Sequence, residues 1–207
     1  MIRYPVGLGT QADFEQHWYS ALNFGDPQPY GFHDGADLNL RRGGDTDLGE
    51  YVYAIAPGRL VYWHYDRHPT VGFGRHLIYK IVLPGGLTRW VHCAHLGPDD
   101  FYSNTTLDFP EGTLLGRIGK SGLPAGAFAH LHFAIFKTDP GGNIDNVANS
   151  MQELNLIWED PLAFIKTWMV PEPVITLDTR IPQIDNLTVA ELKSEIDILN
   201  AIRKLAA

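Results

Sequence analysis

A single cysteine, Cys93, stands in a chain of 207 residues. It excludes an internal disulfide and any metal site built from several thiolates. No apolar run approaches the roughly 18 residues that a membrane-spanning helix requires, so no membrane-spanning segment is expected. Basic residues are scarce: 16 Lys and Arg stand against 24 Asp and Glu, a net charge of −8. That balance opposes attraction to nucleic-acid phosphates, and no nucleic-acid partner is expected. Residues Met1 to Tyr30 lack the charged head, apolar stretch and small-residue cleavage site of a secretory signal, which leaves the compartment open. With 44% hydrophobic residues the chain can bury one core, but it is short for two domains. Against these absences stand nine histidines, the side chain that most often ligates metals.

The middle of the chain reads as antiparallel β-sheet. Tyr51 to Ala56 ends at Pro57-Gly58, and Arg59 to Tyr65 is another run of β-branched and aromatic residues. His76 to Leu83 meets Pro84-Gly85-Gly86, and Thr88 to Leu96 resumes the strand pattern, which predicts a hairpin. Gly112 to Gly119 and Ala129 to Phe136 supply further short strands. Asn149 to Ile157 and Asp160 to Trp168 read as short helices.

Val170-Pro171-Glu172-Pro173 then opens a linker that its prolines bias towards extended conformations. Beyond it Thr188 and Glu191 have the spacing of a capping box, and Val189, Leu192, Ile196, Leu199 and Ile202 fall on one helical face. This amphipathic helix fits docking on its own domain, and it also fits pairing with a protein partner or a second copy.

The chemistry concentrates in two places. In His130-Leu131-His132-Phe133, side chains at i and i+2 of a strand share a face, so both imidazoles project together while Leu131 and Phe133 enter the core. In His33-Asp34-Gly35-Ala36-Asp37, an imidazole and a carboxylate lie four apart around a glycine that lets the chain turn. One imidazole of the His-x-His pair would complete a set of two neutral nitrogens and one carboxylate oxygen. That set leaves the fourth position of a tetrahedral zinc open, the arrangement of a catalytic site. Calcium would want more oxygens and softer metals thiolates, so one zinc ion is the expected cofactor.

The sequence resembles the lysostaphin-type (LytM-like) zinc metallopeptidases, which cut peptidoglycan cross-bridges. The resemblance rests on ordered motifs: Gly31 to Leu38; Val52-Tyr53-Ala54 with Pro57 to Val61; Gly72-Phe73-Gly74; Ala94-His95-Leu96; and Gly112 to Gly119 running through Ser121-Gly122 into His130 to Phe133. Trp158 to Phe164 looks like the usual close of the domain, so coverage runs from about Tyr30 to Trp168.

The resemblance implies a mainly β, antiparallel β-sheet peptidase domain over 30–168, with short peripheral helices. An N-terminal segment, 1–29, precedes it; a linker, 169–187, and a C-terminal amphipathic helix, 188–207, follow. His33, Asp37 and His132 are implied as zinc ligands, with His95 and His130 as the non-ligand catalytic pair. The implied substrate is a peptidoglycan peptide, which points to the cell envelope, the extracellular space or a phage-associated setting. A zinc peptidase acting on protein, and an inactive or autoinhibited metal-containing module that presents its C-terminal helix to a partner, are the competing readings.

There are departures from the family pattern. The loop Gly122 to Ala129 is about two residues longer than usual, Ala129 stands where proline is common, and Cys93 stands where an aromatic often precedes the second motif's histidine. By the same resemblance, Asn23 or Asp26 could reach the metal's open position and block it, as propeptides do in some relatives. Tyr30, Trp63, Trp90 and Phe128 could line a groove, although aromatics in a β protein are most often core. His17, His64, His68 and His76 read as solvated or hydrogen-bonding residues. His92, at an odd offset from His95, is expected to face the opposite side of the strand.

Overall fold

The computed structural model describes residues 2–64, 72–98, 108–141, 144 and 147–169. The expected linker beyond Met169, the expected helix 188–207 and His68 lie outside the described residues. The strands are β1 (Trp18–Leu22), β2 (Pro27–Gln28), β3 (Gly31–Phe32), β4 (Gly35–Leu40), β5 (Tyr51–Tyr53), β6 (Gly58–His64), β7 (His76–Val82), β8 (Thr88–Ala94), β9 (Asp108–Phe109), β10 (Leu114–Arg117), β11 (Leu131–Phe136) and β12 (Trp158–Glu159). The helices are α1 (Gln11–His17), α2 (Met151–Ile157) and α3 (Pro161–Trp168).

One antiparallel sheet dominates, in the order β1-β4-β11-β8-β7-β6-β9, with β12 continuing the edge of β11. The expected hairpin is β7 and β8, closed at Pro84–Gly86, where Gly85 and Gly86 both take φ of 81°. A smaller sheet pairs β5 with β10. Each helix starts at a side-chain cap: Thr10 accepts from the Asp13 N–H, Ser150 from Glu153, and Asp160 from both Leu162 and Ala163. Pro161 follows its cap at the first helical turn, where a missing N–H costs nothing.

The register divides the central sheet into two faces. Leu131, Phe133 and Ile135 of β11 alternate with His132, Ala134 and Phe136, and their partners across the ladder follow suit. Leu38, Leu131, Phe133, Cys93, Leu77 and Tyr79 face the main core. Residues of the N-terminal segment 1–29 complete that core: Ile2, Tyr4, Val6, Phe14 and Trp18 pack into it, as do Phe164 and Ile165 of α3. The opposite face carries Asp37, His132, Ala94 and His92, which the pairings Asp37–His132, His132–Ala94 and Ala134–His92 bring into adjacent positions. A second apolar cluster closes the far end of this face, built from Ile78, Ala134, Phe136, Leu154 and Trp158. Lone Cys93 lies fully buried on the core side, and burial pushes its thiol well above the ordinary range.

One expectation about the site changes here. Gly35 does not turn the chain; it opens β4, paired with Ala134 across the ladder. Its value is close approach. A Cβ there would sit 2.6 Å from the Phe133 carbonyl oxygen, 3.0 Å from His132 Cε1 and 3.1 Å from Ala134 Cβ. All three neighbours belong to strand β11, and the Phe133 carbonyl and the Ala134 Cβ cannot swing aside. Gly35→Ala is therefore expected to push β4 away from β11, at a cost of about 1–3 kcal/mol. Asp37 and His132 sit on those two strands, so metal affinity should fall with stability. Denaturant midpoints and metal content, measured together, check this.

Candidate metal centre

Three donor atoms converge on the second face. His33 Nε2 lies 3.2 Å from Asp37 Oδ1, His132 Nδ1 lies 3.1 Å from the same oxygen, and the two nitrogens are 3.2 Å apart. A tetrahedral cation with bonds of about 2.0–2.1 Å needs its ligands about 3.3 Å from one another. The triangle therefore has the spacing of a metal tripod, and its donor set of two imidazoles and one carboxylate fits such an ion. Two neighbouring strands and the residues leading into one of them supply it. His33 leads into β4, Asp37 lies within β4, and His132 is the second residue of β11.

Asp34 also stands near this group, and its donor atoms fall within 4.8 Å of those of His33 and His132. It addresses a different nitrogen, however. Asp34 Oδ1 is 3.5 Å from His132 Nε2, the nitrogen that points away from the triangle. With Nδ1 bare for a metal, Nε2 carries the proton on the side of the Asp34 carboxylate, near enough for charge attraction but without a hydrogen bond. Asp37 is thus the carboxylate of the triangle, and Asp34 the one behind it.

The other site imidazoles follow one rule: a carbonyl holds one nitrogen, and the other is left for the site. His33 Nδ1 is 3.2 Å from the Asn23 carbonyl, His95 Nδ1 2.8 Å from that of Ser121, and His130 Nδ1 3.1 Å from that of Phe128. A carbonyl only accepts, so in the neutral rings each Nδ1 carries the proton and each Nε2 is bare. The Asn23 and Asp26 side chains bond within their own turn: Asp26 Oδ2 accepts from the Asn23 N–H at 2.7 Å and stands 3.4 Å from its amide. Neither residue lines the site cavity, so the structure gives no support to a block from that segment.

Electrostatics separate the groups. Burial alone would raise the Asp37 carboxyl, but hydrogen bonds and charge from His132 and His33 overcome it and hold the group well below the usual range. Burial pulls His33 down, yet the hydrogen bond and charge of Asp37, with help from Asp34 and the Asn23 carbonyl, leave it raised. His95 is pushed down to about 3, by burial first and then by the charges of His130 and His132. It therefore stays neutral at physiological pH.

His95 and His130 stand side by side, ring centroids 4.7 Å apart, and His130 Nε2 lies 3.6 Å from Asp37 Oδ2. His130 precedes β11 instead of lying within it, but its ring still reaches the face of His132. His95 takes φ of 61°, a left-handed conformation uncommon outside glycine. Its N–H bonds the Phe73 carbonyl and its carbonyl accepts from Gly119, so tertiary contacts hold the strained backbone in place. Nearby, Gly74 at φ 58° and Gly122 at φ 77° let two turns cross so closely that a Cβ on Gly74 would come within 2.2 Å of the Ser121 backbone. That crossing seats Phe73 over the imidazoles of His132 and His92, at centroid distances of 4.9 and 4.8 Å.

His92 corrects an expectation. The odd offset from His95 would turn it away, but β8 ends at Ala94 and the left-handed His95 breaks the alternation. His92 instead shares the face of His132, with ring centroids 5.7 Å apart, and is fully buried. Burial, followed by the charges of His76, His132 and His95, drives its pKa far down, so it is a neutral ring packed against His132 and Phe73. Its signal was the pairing of β8 with β11, which only the register reveals. His64 and His76 continue the same row of rings away from the triangle, and His17 is half exposed beside Asp13. Tyr30 lines the cavity above the triangle, with Phe32, Phe73, Leu123 and Val147; Trp63, Trp90 and Phe128 do not.

No protein-family model and no curated protein matches the chain. Among solved structures it is similar to the catalytic domain of the antimicrobial peptidase lysostaphin from Staphylococcus simulans, at 20% identity and a TM-score of 0.50, over 76% of this chain and 98% of that one. A zinc-containing peptidase from Vibrio cholerae aligns at 20% identity and a TM-score of 0.46, over 65% of this chain, which spans only 36% of that protein's length. A prophage-encoded M23 protein from Enterococcus faecalis aligns at 19% identity and a TM-score of 0.46, over 67% of this chain and 91% of that one. Lysostaphin's catalytic domain, matched over nearly its whole length, carries the conclusion: this chain has the lysostaphin-type, LytM-like fold.

Proposed function

We propose that the chain is a zinc-dependent endopeptidase that hydrolyses the peptide cross-links of bacterial peptidoglycan. The observation that carries this reading is the triangle of His33 Nε2, Asp37 Oδ1 and His132 Nδ1, open towards a cavity of about 560 Å³ that His95 and His130 border. Two nitrogens and one oxygen without a thiolate suit zinc, and a three-ligand set is that of a catalytic ion. When bound, zinc would supply an acidified water and polarise the scissile carbonyl.

The protein's own groups do the rest. The bare Nε2 of His130 or His95 accepts the proton of the attacking water and returns it to the leaving amine. Phe73, Tyr30 and Leu123 hold the peptide and keep bulk water from the reacting bond. The ordered motifs shared with wall-cutting peptidases support the cross-link as substrate, with 30–168 as the peptidase domain after the N-terminal segment 1–29. In the same reading 169–187 is a linker and 188–207 a helix available to a partner.

The full chain, incubated with purified sacculi of several cross-bridge chemistries, should release fragments with new amino termini at one bond, as read by mass spectrometry. Chelation should abolish them. Intact walls in the presence of demonstrably zinc-loaded protein would overturn the reading.

A further inference from the structure

Ala129 is fully buried and stands one residue before His130. The ladder between β11 and β4 begins only at Leu131, opposite Leu38, so it offers Ala129 no partner. Buried backbone N–H and C=O groups need partners, and here two side chains provide them. Asp45 Oδ1 accepts from the Ala129 N–H at 2.7 Å, and Asn39 Nδ2 donates to the Ala129 carbonyl at 3.0 Å.

Both clamp residues are themselves held. Asn39, on β4 two residues past Asp37, also donates to Asp47 Oδ2 at 3.2 Å, and Lys120 Nζ lies 3.0 Å from Asp45 Oδ2. The loop that carries Asp45 and Asp47 folds back on itself through Gly43 N–H to the Leu40 carbonyl and Glu50 N–H to the Asp47 carbonyl. One more link reaches the site: the Phe128 carbonyl, joined directly to Ala129, receives His130 Nδ1. A proline at 129 would stiffen this approach by its ring but would have no N–H to give Asp45. Alanine lacks the ring and supplies the N–H.

We propose that Asp45, together with Asn39, is a positioning residue for His130, clamping the backbone whose Phe128 carbonyl sets the imidazole's tautomer and direction. The catalytic consequence rests on the peptidase reading above; the geometric consequence does not. Two variants of the full chain test it. Asp45→Ala removes the acceptor, whereas Asp45→Asn keeps an oxygen in its place.

Side-chain ¹⁵N spectra of the zinc-loaded chain should show His130 as one Nδ1–H tautomer in the parent and in Asp45→Asn, and as an averaged or broadened signal in Asp45→Ala. On solubilised cross-linked wall fragments, Asp45→Ala should lower kcat about tenfold, the rate equivalent of one hydrogen bond, with KM and bound zinc unchanged. Asp45→Asn should recover most of that loss. An unchanged His130 signal in Asp45→Ala would overturn the clamp, as would a fall in kcat that merely follows lost zinc or a lowered Tm. If the parent cleaves no wall fragment, the peptidase reading fails while the spectra still decide the clamp.

Discussion

Asp37→Ala should leave the full chain without bound zinc and without measurable hydrolysis, while the metal-free fold persists. Asp37 Oδ1 is the common vertex of the donor triangle, 3.2 Å from His33 Nε2 and 3.1 Å from His132 Nδ1. Without it two neutral imidazoles remain, too few for a stable site. The sheet should survive, because β4 and β11 are joined by a backbone ladder from Leu38–Leu131 to Gly35–Ala134 that does not depend on the carboxylate. Asp34→Ala is the informative control. Asp34 faces the outer nitrogen of His132, so its loss should weaken zinc binding about 10- to 100-fold and leave activity recoverable at saturating metal. Metal analysis after dialysis against a competing chelator separates the two variants. Zinc retained by Asp37→Ala and lost from Asp34→Ala would make Asp34 the ligand.

The second large effect belongs to the non-ligand pair. His130→Ala should keep its zinc and lose about 10²–10⁴ in kcat, the usual consequence of removing a positioned acid–base group. For His95 the right substitution is asparagine, which tolerates the left-handed backbone that this position requires. His95→Asn should likewise retain metal and lose activity. It should also carry a signature in stability. His95 has its pKa lowered to about 3 by burial and neighbouring charge, so below the ordinary histidine pKa of about 6.5 the unfolded chain binds a proton that the folded chain refuses. That contribution is absent at high pH and destabilises the fold progressively as pH falls from about 6.5 towards 3. Chelated His95→Asn should therefore be less acid-labile than the chelated parent. Equal slopes in the two proteins would show that His95 is not held neutral.

Local spacing made much of this site legible. His33 and Asp37 sit four apart and His130 and His132 two apart, and the fold brings all four together with His95. The hairpin at Pro84–Gly86 was legible for the same reason, since turn chemistry is local. What escaped was non-local. Gly35 looks like a turn glycine until β11 is laid beside it and its missing side chain becomes a steric need. His92 looks misdirected until the left-handed His95 interrupts the alternation that the parity argument assumed. The packing of Ile2, Tyr4, Val6 and Trp18 into the main core was equally hidden. Asp45 and Asn39 had no signal in the sequence, because the group they serve is the backbone of a residue more than eighty positions away.

X-ray absorption at the zinc edge of the metal-loaded full chain tests the centre most directly. The account predicts one zinc per chain in a light-atom shell at about 2.0–2.1 Å, with two imidazoles, falling to one in His132→Ala. A sulfur shell, or three or more imidazoles, would contradict it: the first would implicate Cys93 from the opposite face of the sheet, and the second would draw His92, His95 or His130 into the metal and remove the open, proton-accepting side on which the proposed chemistry depends.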